Sequence, residues 1–173
     1  MTQKTGSVVA VCRRPAAGIP KIPQREIIVG PDGVEGDYHA GPKRRSRRTG
    51  RVKINDRQIS IVAHEVLEAL NRQLGIAIPQ GGFGENILVA GLGDLSGLSE
   101  GDQVCFENGV VVEVTEQNPP CATLKRWHKQ LPSESMGRRG VVGVVKKEGV
   151  IRPDERVTLK KTRLRAASVG RKR

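Results

Sequence analysis

Short apolar runs rich in β-branched residues recur along the chain at 7–11, 26–29, 58–62, 86–89, 103–106, 110–115, 141–146 and 155–159, each set off by Gly, Pro, Asn or Asp. Runs of this length and punctuation predict strands, and their number predicts a strand-rich fold. Between the fifth and sixth runs, Glu107-Asn108-Gly109 contains an Asn-Gly pair, whose tolerance of positive φ predicts a tight hairpin. Two stretches resemble one another: Leu98-Ser99-Glu100-Gly101-Asp102-Gln103-Val104 and Ile151-Arg152-Pro153-Asp154-Glu155-Arg156-Val157. Each carries an acidic residue through a turn into a strand, a corner of the kind that a barrel repeats. Helical spacing is confined to two segments. In the first, Val66, Leu67, Leu70 and Leu74 share a face and Gly75 follows as a stop. The second is predicted from about Cys121 to Leu131, with Leu124, Trp127 or His128, and Leu131 on its apolar side. Pro119 and Pro120 precede it, where proline is compatible with a helix start.

A chain of 173 residues, 36% hydrophobic, suffices for one domain with a core. We expect a single domain over 1–160, with a basic loop at 42–57 inside it and a basic, disordered tail at 161–173. Val8, Val9 and Val11 are too short an apolar stretch for a secretory signal, and no segment approaches the ~20 apolar residues of a membrane helix. The expectation is a soluble, cytoplasmic protein that does not enter the membrane.

Charge adds a second theme. The net charge is +12, and Lys43, Arg44, Arg45, Arg47, Arg48, Arg51, Lys53 and Arg57 form one basic run, while Lys160, Lys161, Arg163, Arg165, Arg171, Lys172 and Arg173 form another. Such runs are commonly solvated and attract polyanions weakly and without specificity. A nucleic-acid role has little else behind it: aromatic residues are 2% of the chain, too few to stack bases, and no helix-turn-helix, zinc-finger or RNA-recognition signature accompanies the charge. The alternative use of the first run is to help hold a phosphorylated, anionic ligand.

Cys12, Cys105 and Cys121 are widely spaced and odd in number, which disfavours both a disulfide framework and a structural zinc site. Cys121, in Asn118-Pro119-Pro120-Cys121, falls at or beside the predicted helix start. Unpaired N–H groups and nearby cations at such a place favour an anion, and thiolate is both the nucleophile and the soft metal ligand. Arg126, Arg138 and Arg139 are candidate cations. The bland alternative is a buried structural cysteine after a Pro-Pro turn; spacing leaves both open.

Three glycine-bearing stretches supply further candidates. Gly33-Val34-Glu35-Gly36-Asp37-Tyr38-His39-Ala40-Gly41 could wrap a ligand, with Asp37 and His39 making contacts, or could be a hydrated turn in which Asp37 binds its own backbone. Gly81-Gly82-Phe83-Gly84-Glu85-Asn86 lacks the Lys-Ser/Thr of a phosphate-binding P-loop, and its Glu85 and Asn86 either fix the turn or meet a polar ligand. Met136-Gly137-Arg138-Arg139-Gly140 places two guanidinium groups beside flexible backbone, an arrangement suited to anions.

Taken in order, Gly36-Asp37-Tyr38-His39-Ala40-Gly41, Arg57-Gln58-Ile59-Ser60 leading to Glu65, Gly84-Glu85-Asn86-Ile87, Pro120-Cys121, Arg139-Gly140 and Gly149-Val150-Ile151 resemble the MOSC domain, the C-terminal domain of molybdenum-cofactor sulfurase, and in particular its small stand-alone bacterial members. The resemblance implies a mainly β fold, a closed or partly closed barrel of the pyruvate-kinase-barrel type with a few peripheral helices. It implies the molybdenum cofactor (molybdopterin), and at Cys121 either the protein ligand to molybdenum or a persulfide sulfur carrier. Asp37, His39, Glu85, Asn86, Arg138 and Arg139 would then contact the cofactor. The activity implied is sulfur transfer, or reduction of N-hydroxylated compounds. No desulfurase, flavin, iron-sulfur or haem motif accompanies the pattern, so a sulfur-donor or electron-donor protein is the expected partner, alongside a small-molecule substrate. The rival expectation is a non-catalytic module that docks on nucleic acid or an acidic protein through the basic loop and tail.

Overall fold

The computed structural model of the protein describes residues 3–162. The elements in chain order are β1 (Thr5–Arg13), β2 (Ile22–Gln24), β3 (Ile27–Gly30), β4 (Gly33–Val34), β5 (Lys43–Arg45), β6 (Val52–Ile54), β7 (Ile59–Ala63), α1 (His64–Leu74), β8 (Ile87–Ala90), β9 (Gln103–Phe106), β10 (Val111–Gln117), a 3-10 turn (Ala122–Arg126), α2 (Leu131–Glu134), β11 (Val141–Lys147), β12 (Gly149–Ile151) and β13 (Arg156–Lys160). One sheet runs β13-β9-β10-β11-β7-β8-β1, and β13 also pairs with β1, so that seven strands close into a barrel with β2 attached to β1. All the predicted runs are strands, most within a residue or two of the expected bounds.

Local chemistry accounts for the joints. Gly109 has φ 96°, and the β9–β10 hairpin closes through the Gly109 N–H to the Phe106 carbonyl. In the two similar corners, Asp102 accepts from the Ser99 N–H and Glu155 from the Arg152 N–H, so each acid pins the turn that delivers the next strand. β7 and β8 are parallel, which demands a crossover connection, and α1 provides it. The buried face of α1 is Val66, Leu67 and Leu70, with Leu74 packed at the margin, and Gly75 ends it in the left-handed region. The interior is filled by β-strand side chains such as Ile59, Ile61, Leu88 and Val112 together with Phe83, Leu124 and Leu131.

One expectation changes. The segment from Cys121 to Leu131 is not one helix: it is the 3-10 turn followed by the separate α2. Trp127 is drawn aside by an indole hydrogen bond to the Gly82 carbonyl, and Pro132, lacking an N–H, is accommodated only because α2 begins there. The basic loop at 42–57 carries regular structure of its own. Its ends pair as the two-stranded β5–β6 hairpin, with Arg44 opposite Lys53 and both bound to Asp56. From residue 163 the basic tail lies outside the described residues; Lys161 and Thr162 are described, and both donate to Asp102.

Gly140, just ahead of β11, has φ 88°, and a Cβ there would collide with the Ile61 carbonyl on β7. Gly140→Ala is therefore expected to cost more than ~2 kcal/mol, while Gly97→Ala, where nothing stands within 4 Å, stays within about 0.5 kcal/mol; chemical denaturation of both variants checks this.

Candidate functional site

An open cleft of about 1270 Å³ is lined by Lys21, the loop 38–40, the β5–β6 hairpin, Ser60, the turn 83–86, the segment 118–121, Thr123 and Arg139. That volume exceeds the roughly 300–1,000 Å³ of ordinary small-molecule pockets. Cys121 sits in it with extended backbone, directly before the 3-10 turn. Two side chains donate to its sulfur: the Thr123 hydroxyl at 3.2 Å and Arg47 Nη1, from the tip of the hairpin, at 3.3 Å.

The electrostatic consequence separates the three thiols. At Cys121, burial works to raise the pKa, but the Thr123 hydroxyl and N–H, together with the charges of Arg47 and Arg139, outweigh it and bring the thiol below its ordinary value. At Cys12, buried in the core, burial and the carboxyl of Glu85 push the thiol up to about 12 despite Lys21. Burial also raises Cys105. Cys121 alone of the three is built to ionise more readily than a free cysteine. Thiolate stabilisation comes from the hydroxyl and N–H of Thr123 and from the cations Arg47 and Arg139 rather than from a helix dipole, since the turn that follows is only five residues long.

Of the residues singled out in the sequence, His39, Asn86, Cys121 and Arg139 line the cleft. Asn86 is also a strut: its Oδ1 accepts from the Ser60 N–H, and its Nδ2 donates to the Cys12 carbonyl. Arg139, 9% exposed, donates from Nη1 to the Pro119 carbonyl and from Nη2 to the Phe83 carbonyl. Asp37 and Glu85 lie behind the wall. Asp37 accepts from Lys21 Nζ at 2.8 Å and from the N–H groups of Arg14 and His39; burial would raise its carboxyl, but His39, Lys21 and Arg14 hold it far below the usual range. Glu85 is fully buried and accepts from the N–H groups of Gly81 and Phe83, which fixes the glycine-dense turn; burial pushes it up to about 7 against those two bonds and Lys21. Arg138 turns away from the cleft, to the Glu134 carbonyl and Gln73. Arg126 lies over the Trp127 ring and donates to the Ile19 carbonyl.

Sequence reasoning did not single out Arg47, Thr123, Ser60 or Lys21 individually. Thr123 was discoverable, because a hydroxyl two residues after Cys121 can reach back to it. Arg47 was visible only as one cation of the run, since its partner is 74 positions away.

Nine basic side chains line the cleft against two carboxylates, Asp56 and Glu116. Asp56 is taken by Arg44 and Lys53, and Glu116 by Arg57. Among the described residues, Lys43, Arg45, Arg47, Arg48 and Arg139 make no ion pair. The site is thus a cationic cleft around one activated thiol, an arrangement that favours an anionic ligand. No group of three or more His, Cys, Asp and Glu that could hold a metal ion exists among the described residues. No described helix is long and apolar enough to cross a membrane.

The chain belongs to the MOSC domain family, which matches residues 35–158. It is 28% identical over 138 residues to YuaD of Bacillus subtilis (strain 168), a protein whose name assigns it provisionally to metal-sulfur cluster biosynthesis; the match covers 69% of this chain and 71% of that one. The YuaD crystal structure from the same organism shares the fold with a TM-score of 0.84 at 22% identity, over 93% of this chain and 98% of that one. YiiM from Geobacillus stearothermophilus shares it with a TM-score of 0.63 at 24% identity, over 90% of this chain and 73% of that one.

Removing a cation or donor from a thiolate raises its pKa. The pH midpoint for alkylation of Cys121 by iodoacetamide is therefore expected to lie below that of a free thiol and to move upward in Arg47→Ala and in Thr123→Val. Midpoints unchanged in both variants contradict the assignment.

Proposed function

We propose that this MOSC protein binds the molybdenum cofactor in the cationic cleft, with Cys121 as the thiolate that meets the metal or carries sulfur to it. The observation that carries the reading is Arg47 and Thr123 converging on the Cys121 sulfur at 3.3 and 3.2 Å inside a cleft whose free charges are all cationic. The donor set fits this cofactor better than a bare ion. With one thiolate and no clustered His or carboxylate ligands among the described residues, the site suits a metal that arrives with ligands of its own, as the pterin dithiolene supplies.

The roles of the chain's own residues follow from their places. Arg47 and Thr123 keep Cys121 ionised and oriented. Lys43, Arg45 and Arg48 on the hairpin neutralise the cofactor's phosphate, a task for which guanidinium groups are well shaped. His39 offers a polar contact to the pterin, while Asn86 holds the wall behind it. Asp37, Glu85 and Lys21 hold the walls rather than the ligand. When bound, the cofactor supplies redox and oxygen- or sulfur-transfer chemistry at the metal. A partner protein provides electrons for reduction of an N-hydroxylated small molecule, or the protein passes sulfur onward. YuaD's name, with its reference to metal and sulfur, supports the sulfur side of the reading.

The test is the molybdenum and pterin content of protein purified from cells that make the cofactor. Wild type is expected to retain both. Cys121→Ser should keep pterin and lose most of the molybdenum, and Arg45→Glu combined with Arg48→Glu should lower pterin retention more than tenfold. Full molybdenum in Cys121→Ser removes the ligand role. Wild type without pterin overturns the cofactor reading.

A further inference from the structure

We propose that Cys121 is loaded directly by a small sulfane-sulfur oxyanion of the thiosulfate class, which gives its outer sulfur to the thiolate inside the cleft and leaves as sulfite. The inference rests on the reading of Cys121 as a sulfur carrier and specifies the donor, a small anion in place of a donor protein.

Two buried, unpartnered hydrogen-bonding atoms carry the argument. Arg139 Nε has no partner although both Nη atoms of that side chain are bound, and Ser60 Oγ has none either. Both side chains line the cleft that holds Cys121, and they come from adjoining strands: Ser60 of β7 is paired with Val142 of β11, three residues beyond Arg139. Native structures seldom leave buried polar atoms unpaired, so an unfilled pair in a ligand cleft points to a missing ligand. Arg139 is also a buried cation with no carboxylate partner among the described residues; the carbonyls of Pro119 and Phe83 fix its position without neutralising it. One N–H donor and one O–H donor beside a buried positive charge that has no carboxylate partner recognise an oxyanion. A thiol persulfide delivered by a protein brings a single charged sulfur and no oxygens for these two donors. Thiosulfate brings both an oxyanion head and a transferable sulfur.

The step balances without an outside oxidant or reductant. The Cys121 sulfur forms a bond to the outer sulfur of thiosulfate as the sulfur-sulfur bond of the donor breaks, and the electron pair of that bond departs on sulfite. One thiolate and one dianion give one persulfide anion and one dianion, with no proton moved. Arg47, which already touches the Cys121 sulfur, holds the approaching and departing negative charge at the reacting atoms.

The experiment uses the full chain, reduced and desalted, with thiosulfate as the donor. One added sulfur is expected on the peptide that carries Cys121, with sulfite released in equal amount and thiocyanate formed when cyanide is added. Cys121→Ser should take up no sulfur. Ser60→Ala and Arg47→Ala should each raise the thiosulfate concentration for half-maximal loading about tenfold. Arg51→Ala, an exposed hairpin residue outside the cleft lining, should load as wild type does. Circular dichroism checks that Ser60→Ala is folded, and Arg47, at the exposed hairpin tip, provides the second variant. A Cys121 that stays bare with thiosulfate but is loaded by cysteine persulfide overturns the proposal, as does equal loading of wild type, Ser60→Ala and Arg47→Ala. Molybdenum and pterin content are read separately: cofactor retained without loading sinks this proposal alone, and loading without cofactor sinks the cofactor reading alone.

Discussion

Pairing of β13 with β1 closes seven strands of the main sheet into a barrel, and the cleft is built on that closure. An open sheet of these strands would leave two edges free and let each loop find its own place; closure removes the edges and fixes strand tilt and stagger together. Ser60, Asn86, Cys121 and Arg139 come from four separate segments, and closure brings them around one space. Buried polar bonds then lock those segments to the barrel. Asn86 ties β7 to β1, Glu85 holds the turn before β8, and the Lys21–Asp37 pair anchors the loop that carries His39. Asn55 donates to the carbonyls of His39 and Gly41, which fastens that loop to the foot of the basic hairpin.

On this frame the cleft concentrates like charge. Arg139 loses hydration by burial and is further opposed by Arg57 and Arg47, with the Cys121 thiolate as the largest force in its favour. A set of cations that repel one another around an ionisable sulfur is stable when the sulfur is ionised and more stable when a second anion enters. The same arithmetic links the two functional proposals. The phosphorylated pterin and the small sulfur oxyanion proposed above would both supply negative charge to this cationic cleft, one at the exposed hairpin and the other at the buried donors.

Much of the barrel was legible because strands leave a local signature: β-branched runs bounded by turn residues, an Asn-Gly hairpin, and an acid pinning each corner. The helix α1 was legible for the same reason, its apolar spacing ending at Gly75. The β5–β6 hairpin was not, because its strands are three residues each and dominated by Lys and Arg, so composition reads as a solvated run while pairing and the Asp56 bridges decide the structure. The break after Cys121 depended on Trp127 reaching Gly82, a contact between distant segments. Neighbours in sequence also diverged: Arg139 enters the cleft and Arg138 leaves it, a difference that residue type does not encode. Cys121 was singled out by its setting after Pro-Pro and by the family resemblance, whereas its two side-chain donors, Thr123 and Arg47, follow only from side-chain geometry.

The occupant of Cys121 is the most direct measure of whether this cleft serves an activated thiol. Protein isolated without oxygen from cells that make the molybdenum cofactor, studied by X-ray absorption at the molybdenum edge together with mass analysis of the Cys121 peptide, is predicted to show either molybdenum bonded to a protein sulfur or an extra sulfur on Cys121. A bare Cys121 thiol in protein free of molybdenum, under those same conditions, would contradict the account.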